Sequence, residues 1–403
     1  MELFWLEHKK LWRKKIVKIC VLLCFVYCVI FGSILWFQWF GFGSSDDYTS
    51  AFGNNFDGYT VIKDSQEYAL SFGGELTDET LQQIVSDYQQ MEADGMEEEL
   101  EKTDWQIVNS WLGTLYPELR DTSNYKTMIS YVDPDKLTGF YERRQQVLDE
   151  FLEVSGQVGA EKEFLHQIER KVEKPFHYEW VEGWSTLLGS MVADLGVVMA
   201  LFLGIVLSSL FAGEWHDNTS TLVLTTRNGW GKIALAKILT GLAFTVELFA
   251  LLAVSSVISQ LFFMGTAGWD MPIQNIKLIA VAPMNMLQAE IYEYAFVLLG
   301  AIGFAGIVMF ISAAVKNNVL TLLLSLAVVY GPMMIAEYLP YEMQKALDLI
   351  PLVGSSTDIF RTNTFRIFGK LIWSPYLLIT IPVLIGILCM PFAIKSWSRR
   401  MKA

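Results

Sequence analysis

Six long apolar stretches constrain this chain more than any other feature of its sequence. They cover residues 16–40, 184–212, 233–264, 294–315, 319–336 and 372–394. A helix that crosses a membrane needs about 20 apolar residues, and each stretch is long enough. With 53% hydrophobic residues and a mean hydropathy of +0.35, the chain is too apolar for an ordinary soluble protein. The sequence therefore predicts an all-α polytopic membrane protein with six transmembrane helices.

The first apolar stretch, 16–40, is predicted to remain in the protein as a membrane anchor. It is longer than the apolar part of a secretory signal peptide, and its end, WFQWFGFG, offers no small-residue cleavage site. Residues 1–15, MELFWLEHKKLWRKK, mix aromatic and aliphatic side chains with basic ones. This mixture predicts either an amphipathic helix in the cytoplasmic interface, in contact with membrane lipid, or a plain basic flank to the anchor.

Basic residues near the span ends predict the orientation. They cluster in the N-terminal segment, between the second and third spans, between the fourth and fifth spans, and in the C-terminal tail. With six spans, these four segments share one side, and the excess of Lys and Arg makes that side the cytoplasm. We therefore expect a multi-pass protein with both termini cytoplasmic, residues 44–183 extracellular, and the second to sixth spans within 184–403.

Residues 44–183 form the predicted extracellular domain. They contain 30 acidic and 11 basic residues, a net charge of −19, while the rest of the chain carries +6. This balance argues against a nucleic-acid partner, whose phosphates require a basic surface. Helical spacing predicts helices over 76–91 and 104–116 and a broken one over 135–174, with Thr77 as the first N-cap. The domain is therefore predicted to be mostly helical.

Motifs for catalysis or nucleotide binding are absent from the sequence. The four histidines lack metal-ligand spacing, and no GxxxxGK[ST] phosphate loop occurs. The four cysteines all fall in predicted spans, and Cys20, Cys24 and Cys28 share one helix face. We interpret these three as packing residues. The chain is predicted not to be an enzyme and to hold no cofactor or metal.

A polar cassette, FAGEWHDNTSTLVLTTRNGWGKIALAK, separates the second and third spans at residues 211–237. The orientation places it in the cytoplasm, where TSTLVLTT suits one short helix, and the plain alternative is an ordinary polar loop. With its flanks, SSLFAGEWHDNTSTLVLTTRNGWGKIALAKIL resembles the cytoplasmic motif of ABC type-2 permeases, the membrane subunits of type V ABC exporters. The residues in the places of that motif are Glu214, Thr219, Leu222, Leu224, Thr225, Arg227 and Lys237.

The resemblance extends over the N-terminal helix and all six spans, and the large loop after the first span is similar to a branch from Firmicutes. It implies that residues 213–232 form a coupling helix that docks on an ABC ATP-binding subunit. It also implies a bacterial cell membrane, a dimer of two copies or paralogues, and ATP and Mg²⁺ bound by the partner subunit. The exported substrate would be, for example, an antimicrobial peptide, a lipid-like molecule or a cation. The chain departs from the family pattern mildly, at Asn218 and Thr226.

Two other functions remain open. One is a mechanotransmitting ABC membrane subunit, which moves its extracellular domain to act on an extracellular partner without transport. The large acidic domain suits that class, although such proteins usually have four spans. The other is a stand-alone membrane receptor or immunity protein, which the absence of an ATP-binding motif fits equally well.

Glu247 is the first candidate for a translocation path. It lies ten residues after Lys237, about 15 Å along the helix and near the membrane midplane. An acid there costs roughly 3 kcal/mol to insert, so we expect it to face protein or water. Its role is either transport or helix packing, with Ser255, Gln260 or Tyr330 as neighbours.

Three further features complete the prediction. Asp194 is a weaker translocation-path candidate because it marks the outer edge of the second span. Gly300, Gly303 and Gly306 line one side of the fourth span and predict close helix packing. Residues 339–370 are too polar to span and suit re-entrant pieces.

Overall fold

The structure is a computed structural model that describes residues 2–39, 73–95, 105–121, 126–188, 192–216, 231–354 and 362–399. Most of these residues are helical. The helices are α1 (Glu2–Arg13), α2 (Lys15–Trp39), α3 (Asp78–Ala93), α4 (Trp105–Leu115), α5 (Phe140–Val154), α6 (Ala160–Glu169), α7 (Glu182–Thr186), α8 (Val192–His216), α9 (Lys232–Met264), α10 (Met286–Ala314), α11 (Asn318–Ile335), α12 (Tyr341–Leu347) and α13 (Ser374–Arg399). The strands are β1 (Gly74–Leu76) and β2 (Phe176–Tyr178), which pair antiparallel, and β3 (Thr364–Ile367) and β4 (Lys370–Trp373), which form a hairpin. Short 3-10 turns cover Pro117–Leu119, Met128–Ser130, Pro134–Lys136, Ile273–Asn275 and Ala336–Tyr338.

Five helices of the described chain are long and apolar enough to cross a membrane. The stretches concerned are Leu195–Trp215, Lys232–Phe262, Met286–Ala314, Asn318–Tyr338 and Ser374–Ser398. They confirm the mostly helical class and support a multi-pass membrane protein. The apolar helix α2 has 25 residues and coincides with the first predicted span, whose crossing of the membrane stays a prediction.

Two helices differ in extent from the predicted spans. The described part of α8 begins at Val192, and Trp184 belongs to the short helix α7, where it donates its indole N–H to the Thr266 carbonyl at 3.2 Å. Helix α10 begins at Met286, about two turns before the predicted span start at Tyr294. The membrane boundaries of both spans stay predictions.

Helix α10 packs closely against α13, as its glycines predicted. A Cβ atom on Gly303 would lie 2.3 Å from the Pro382 carbonyl oxygen, and one on Gly306 would lie 2.4 Å from that of Gly386. Gly300 faces Leu352, which lies in the turn after α12. The absence of side chains therefore allows the two helix backbones to approach each other.

The cysteine face of α2 is buried, which confirms the packing interpretation. Cys20, Cys24 and Cys28 are all covered and remain free thiols. The Cys28 thiol lies 3.6 Å from the Leu252 carbonyl oxygen of α9.

The predicted extracellular domain has the helices that the sequence indicated. The Thr77 hydroxyl accepts from the Thr80 backbone N–H and caps α3, and the long third helix is broken into α5 and α6. The hydrophobic core of this domain extends beyond residues 44–183. Buried residues of the connection between α9 and α10, including Met271 and Ile273, belong to the same cluster.

The region after α11 differs in part from the predicted re-entrant pieces. Among the described residues of this region, those from Leu347 to Val353 pack on the core of the long helices, whereas β3 and β4 form a hairpin beside the domain. In that hairpin Arg366 pairs with Glu161 at 2.6 Å, and the Thr364 hydroxyl donates to Gln157 Oε1 at 3.0 Å. Polar partners on the domain explain why this segment leaves the bundle.

Candidate functional site

The structure describes two of the seven residues predicted to couple the chain to an ATPase. Glu214 lies near the end of α8 and Lys237 in the second turn of α9, so they flank the cassette. The residues outside the described chain are Thr219, Leu222, Leu224, Thr225 and Arg227. Asp194 belongs to the first turn of α8, but its side chain is also outside the described part. The roles of these six residues stay predictions.

Glu214 and Lys237 link the two ends of the cassette directly. The Lys237 ammonium lies 2.8 Å from Glu214 Oε1 and 2.7 Å from Glu7 Oε2 of α1. Lys10 Nζ, also from α1, lies 2.5 Å from the same Glu214 oxygen. We call Glu7, Lys10, Glu214 and Lys237 the inner ion cluster. Its two acids and two bases join three helices and balance in charge.

Burial determines what the inner ion cluster contributes. The side chains of Lys237 and Glu214 are only 2% and 4% exposed, whereas Lys10 reaches solvent. Two ions removed from water lose several kcal/mol of hydration each, and close pairing offsets this loss only when the geometry is good. Deleting one partner leaves an uncompensated buried charge and costs about 3–5 kcal/mol. The cluster therefore fixes how α1, α8 and α9 lie relative to one another.

The spacing of the N-terminal sequence brings these groups to one place. Glu7 and Lys10 are three residues apart, so both point from one face of α1. Lys14, four residues farther on, donates to the Ser209 hydroxyl of α8 at 2.9 Å. The basic N-terminal segment thus supplies direct partners for the helix that leads into the cassette.

Glu247 is bound by the N-terminal helix. His8 Nε2 lies 3.1 Å from its Oε1, and the Trp12 indole N–H donates to its Oε2 at 3.0 Å. Its side chain is 42% exposed and contacts protein groups of α1, so its role in a translocation path stays a prediction. Helix α1 lies along α9 and offers these polar groups at the surface of that helix.

The neighbours predicted for Glu247 lie elsewhere. The Tyr330 hydroxyl donates to the Val197 carbonyl at 3.1 Å and so belongs to the contact between α11 and α8. Gln260 is almost four helical turns farther along α9, roughly 20 Å from Glu247. Helix α1 therefore meets α9 at two levels, the inner ion cluster and Glu247.

Comparison with known proteins adds no relative to this geometry. The chain matches no protein family, no curated protein and no solved structure. The resemblance to ABC type-2 permeases thus depends on the cassette and the pattern of spans.

A second polar group lies at the opposite end of the bundle, near the domain, where the sequence predicted no site. Glu290 and Glu293 occupy the first two turns of α10 and are 3% and 0% exposed. The predicted fourth span begins at Tyr294 and does not include them. The overlooked signal is the capping box, in which Asn285 and Gln288 bond reciprocally to each other's backbone N–H.

These two acids, which we call the buried acid pair, have no positively charged partner among the described residues. No hydrogen bond of standard geometry reaches their carboxylate oxygens within the described chain, and the Tyr294 hydroxyl is a donor near Glu290. They lie one helical turn apart and influence each other electrostatically. The Tyr294 hydroxyl lies beside Glu290, but its hydrogen bond joins it to the Ser256 hydroxyl of α9 at 2.7 Å.

The antiparallel packing of α9 and α10 brings Gln260 to the level of the buried acid pair. Ser256 of α9 meets Tyr294 of α10, and Gln260 lies one turn beyond Ser256 while Glu290 lies one turn before Tyr294. Gln260 is 1% exposed, and its amide Nε2 also has no hydrogen-bond partner. Within the described chain, no group of three or more His, Cys, Asp or Glu side chains could hold a metal ion.

Proposed function

We propose that this chain is the membrane subunit of an ATP-driven ABC exporter. A separate ATP-binding subunit binds ATP and Mg²⁺ and moves residues 213–232 at the cytoplasmic face. A second copy of the chain, or a paralogue, completes the complex in the bacterial cell membrane. The spans then open an outward path for a substrate such as an antimicrobial peptide, a lipid-like molecule or a cation.

The inner ion cluster is the observation that carries this proposal. It joins the end of α8 to the start of α9, so the two ends of the cassette move together. Through Glu7 and Lys10 the same cluster reaches α1. A displacement of the cassette would therefore be transmitted to three helices at once. An ordinary surface loop has no need of a buried ion pair between its two ends.

The decisive experiment changes the predicted anchors of the coupling helix. A short amphipathic helix in a groove binds mainly through buried apolar anchors, and losing one costs about 2 kcal/mol or more. We expect the double variant Leu222→Asp, Leu224→Asp to release the ATP-binding subunit or to uncouple ATP hydrolysis from transport. The measurements are co-purification from the native membrane and the ATPase rate in lipid.

The matched control is Val154→Asp, which adds an acidic side chain at an exposed position of the domain. It should leave both measurements unchanged. If the double Leu variant binds its ATPase and transports normally, the cassette is only a loop. If the wild-type chain co-purifies with no ATP-binding subunit, a stand-alone receptor or immunity protein becomes the better proposal.

The proposed topology has its own test. A cysteine introduced at Ser123, within the acidic domain, should react with a membrane-impermeant reagent added from outside. A cysteine at Asn317, which caps α11 in the turn after α10, should stay unmodified until the membrane is permeabilised. The reverse labelling pattern would overturn both the extracellular placement of 44–183 and the cytoplasmic placement of the termini.

A second candidate function is mechanotransmission to an extracellular partner. It is favoured by the contacts between the domain and the segment that connects α9 to α10. The buried Arg144 donates to the Leu278 carbonyl at 2.7 Å and to the Ala280 carbonyl at 3.2 Å. The Trp111 indole N–H donates to the Asn275 carbonyl at 3.1 Å. Movements of the ends of α9 and α10 would therefore carry the domain with them.

Spin labels in the full complex distinguish mechanotransmission from export alone. One pair is placed at the exposed Val154 of the domain and the exposed Tyr338 after α11, and a control pair at Val154 and Glu79 within the domain. Mechanotransmission predicts that ATP changes the first distance and leaves the second constant. A first distance that ignores ATP, in a complex that hydrolyses it, would exclude this role.

A further inference from the structure

The buried acid pair, Glu290 and Glu293, lies at the domain end of the bundle with no opposite charge beside it in the described part of the chain. Both side chains are covered, and among the described residues neither has a counter-charge or a hydrogen bond of standard geometry, while the Tyr294 hydroxyl lies beside Glu290. An ionised carboxylate in such surroundings is so costly that it takes up a proton or binds a cation instead. Two carboxylates one turn apart also repel each other. The observed packing therefore requires positive charge at this place.

Neighbouring helices do not supply that charge. Lys, Arg and His are absent from α9 beyond Glu247, from α8 between Leu195 and Ala212, from α11, and from α13 before Lys395. The polar side chains of the described helices at this level carry no positive charge: Cys28 of α2, Ser256 and Gln260 of α9, Tyr292 and Tyr294 of α10, and Tyr376 of α13. The acids Glu182 and Asp194 begin α7 and α8, and an acid adds no positive charge.

Close packing favours the smallest cation. Glu293 is fully covered and Gln260 nearly so, which leaves no space for a hydrated metal ion or an organic ammonium group. A third carboxylate, thiolate or imidazole ligand for a metal is also missing from the described residues. A proton needs no extra volume, because it forms a covalent O–H bond on one carboxyl oxygen.

We propose that Glu290 and Glu293 form a proton-binding site at the domain end of the α9–α10 pair. In the packed state each carboxylate has taken one proton from water at that end, and both are neutral carboxylic acids. Returning the protons to water requires α9 and α10 to separate, because only hydration stabilises the two carboxylates that result. Proton occupancy is thereby linked to the closure of this helix pair. The site does not depend on an ATP-binding partner.

Infrared spectroscopy of the full chain in lipid nanodiscs tests the site directly. A protonated carboxyl group has a C=O stretching band distinct from that of a carboxylate. We expect the wild-type band to persist at neutral pH in a titration from about pH 5 to about pH 9, far above the range of exposed acids. Each of Glu290→Gln and Glu293→Gln should remove about half of the band. Glu247→Gln, which changes a partly exposed acid, should leave it intact.

Two further measurements keep the proposal falsifiable. The wild-type unfolding temperature should fall as pH rises, because unfolding releases the two protons, and the double Gln variant should lose this slope. If the neutral-pH band is absent in the wild type, or unchanged in a folded double Gln variant, the proposal is wrong. Loss of the band on adding Na⁺ or Ca²⁺ at constant pH would also overturn it, in favour of a metal cation site.

Discussion

The two ends of the bundle contain buried carboxylates in opposite situations. At the inner ion cluster, Glu214 is in contact with the ammonium groups of Lys10 and Lys237. At the domain end, Glu290 and Glu293 are equally well covered but have no such partners. The same residue type therefore serves two purposes. A paired carboxylate fixes helices in place, whereas an unpaired one makes the closed packing depend on something supplied from solution.

The largest expected effect breaks the inner ion cluster. Lys237→Met leaves Glu7 and Glu214 without their shared buried cation, and we expect it to lower the free energy of unfolding by about 3–5 kcal/mol. Lys232→Met, at an exposed position one turn earlier, is the matched control. Thermal unfolding in nanodiscs, followed by tryptophan fluorescence, is the measurement. Equal effects of the two substitutions would show that the cluster does not fix the helices.

The next effect is on the helix that carries the buried acid pair. Gly306→Ala places a Cβ atom 2.4 Å from the Gly386 carbonyl oxygen, so α10 and α13 must move apart. We expect a loss of about 1–3 kcal/mol, typical of overpacking. The same substitution at Gly331, where a Cβ meets no atom within 4 Å, should be nearly neutral. Equal unfolding temperatures for the two variants would contradict the close approach of the helices.

A smaller effect concerns Glu169, a paired acid outside the spans. Its contribution to stability should depend on pH in the opposite direction to that of the buried acid pair. Burial raises the pKa of Glu169, but Lys174 and Arg144 lower it further, and the net pKa lies below the usual 4.5. Stability from Glu169 is thus present above about pH 4.5 and is lost as pH falls through the lowered pKa. Glu169→Gln keeps an acceptor oxygen for Arg144, which also donates to two carbonyl groups, so the substitution should cost less than a full deletion, about 1–3 kcal/mol at neutral pH.

The readout for Glu169 is the unfolding temperature between neutral and acidic pH. The wild type should lose stability on acidification more steeply than Glu169→Gln. Glu161→Gln, which removes an acid paired with Arg366 at the surface, serves as the control and should keep the wild-type slope. Parallel curves for all three proteins would show that the Glu169 pairing contributes nothing to the pH dependence.

The smallest expected effect is that of a Glu→Leu substitution in the buried acid pair, which is compared with the same substitution in the inner ion cluster. Glu293→Leu replaces an unpaired buried carboxyl by an apolar group, so its unfolding free energy should change by less than about 1 kcal/mol or increase. Glu214→Leu makes the same change where two ammonium groups lose their partner, and it should be clearly destabilising. Similar losses for the two variants would mean that Glu293 has a bonding partner in the protein and is not an unpaired acid.

Local signals account for most of what the sequence predicted. Apolar runs predicted the long helices, the Thr77 hydroxyl predicted the start of α3, and helical spacing predicted the buried cysteine face. The partners of Glu247 were beyond reach, because Trp12 is 235 residues away along the chain. The buried acid pair was missed because hydropathy treats an acid as the end of a span, whereas tertiary packing buries these two acids.

Only two of the four residues in the inner ion cluster were predicted from the sequence. Glu214 and Lys237 were selected by resemblance to a motif, and the structure shows that they contact each other. Neither spacing nor resemblance indicated Glu7 and Lys10 as their partners, because such a pairing depends on how α1 lies against α8 and α9. Long-range electrostatic contacts of this kind need a three-dimensional arrangement that periodicity does not encode.

The shared core of the domain also sets an order for biogenesis. Arg144 needs the carbonyl groups of Leu278 and Ala280, and these residues are synthesised only after α8 and α9. The domain is synthesised first, and its hydrophobic core therefore stays incomplete until α8 and α9 are in place. Failure of either helix to insert leaves that interior open to proteases, so the domain reports on the assembly of the rest of the chain.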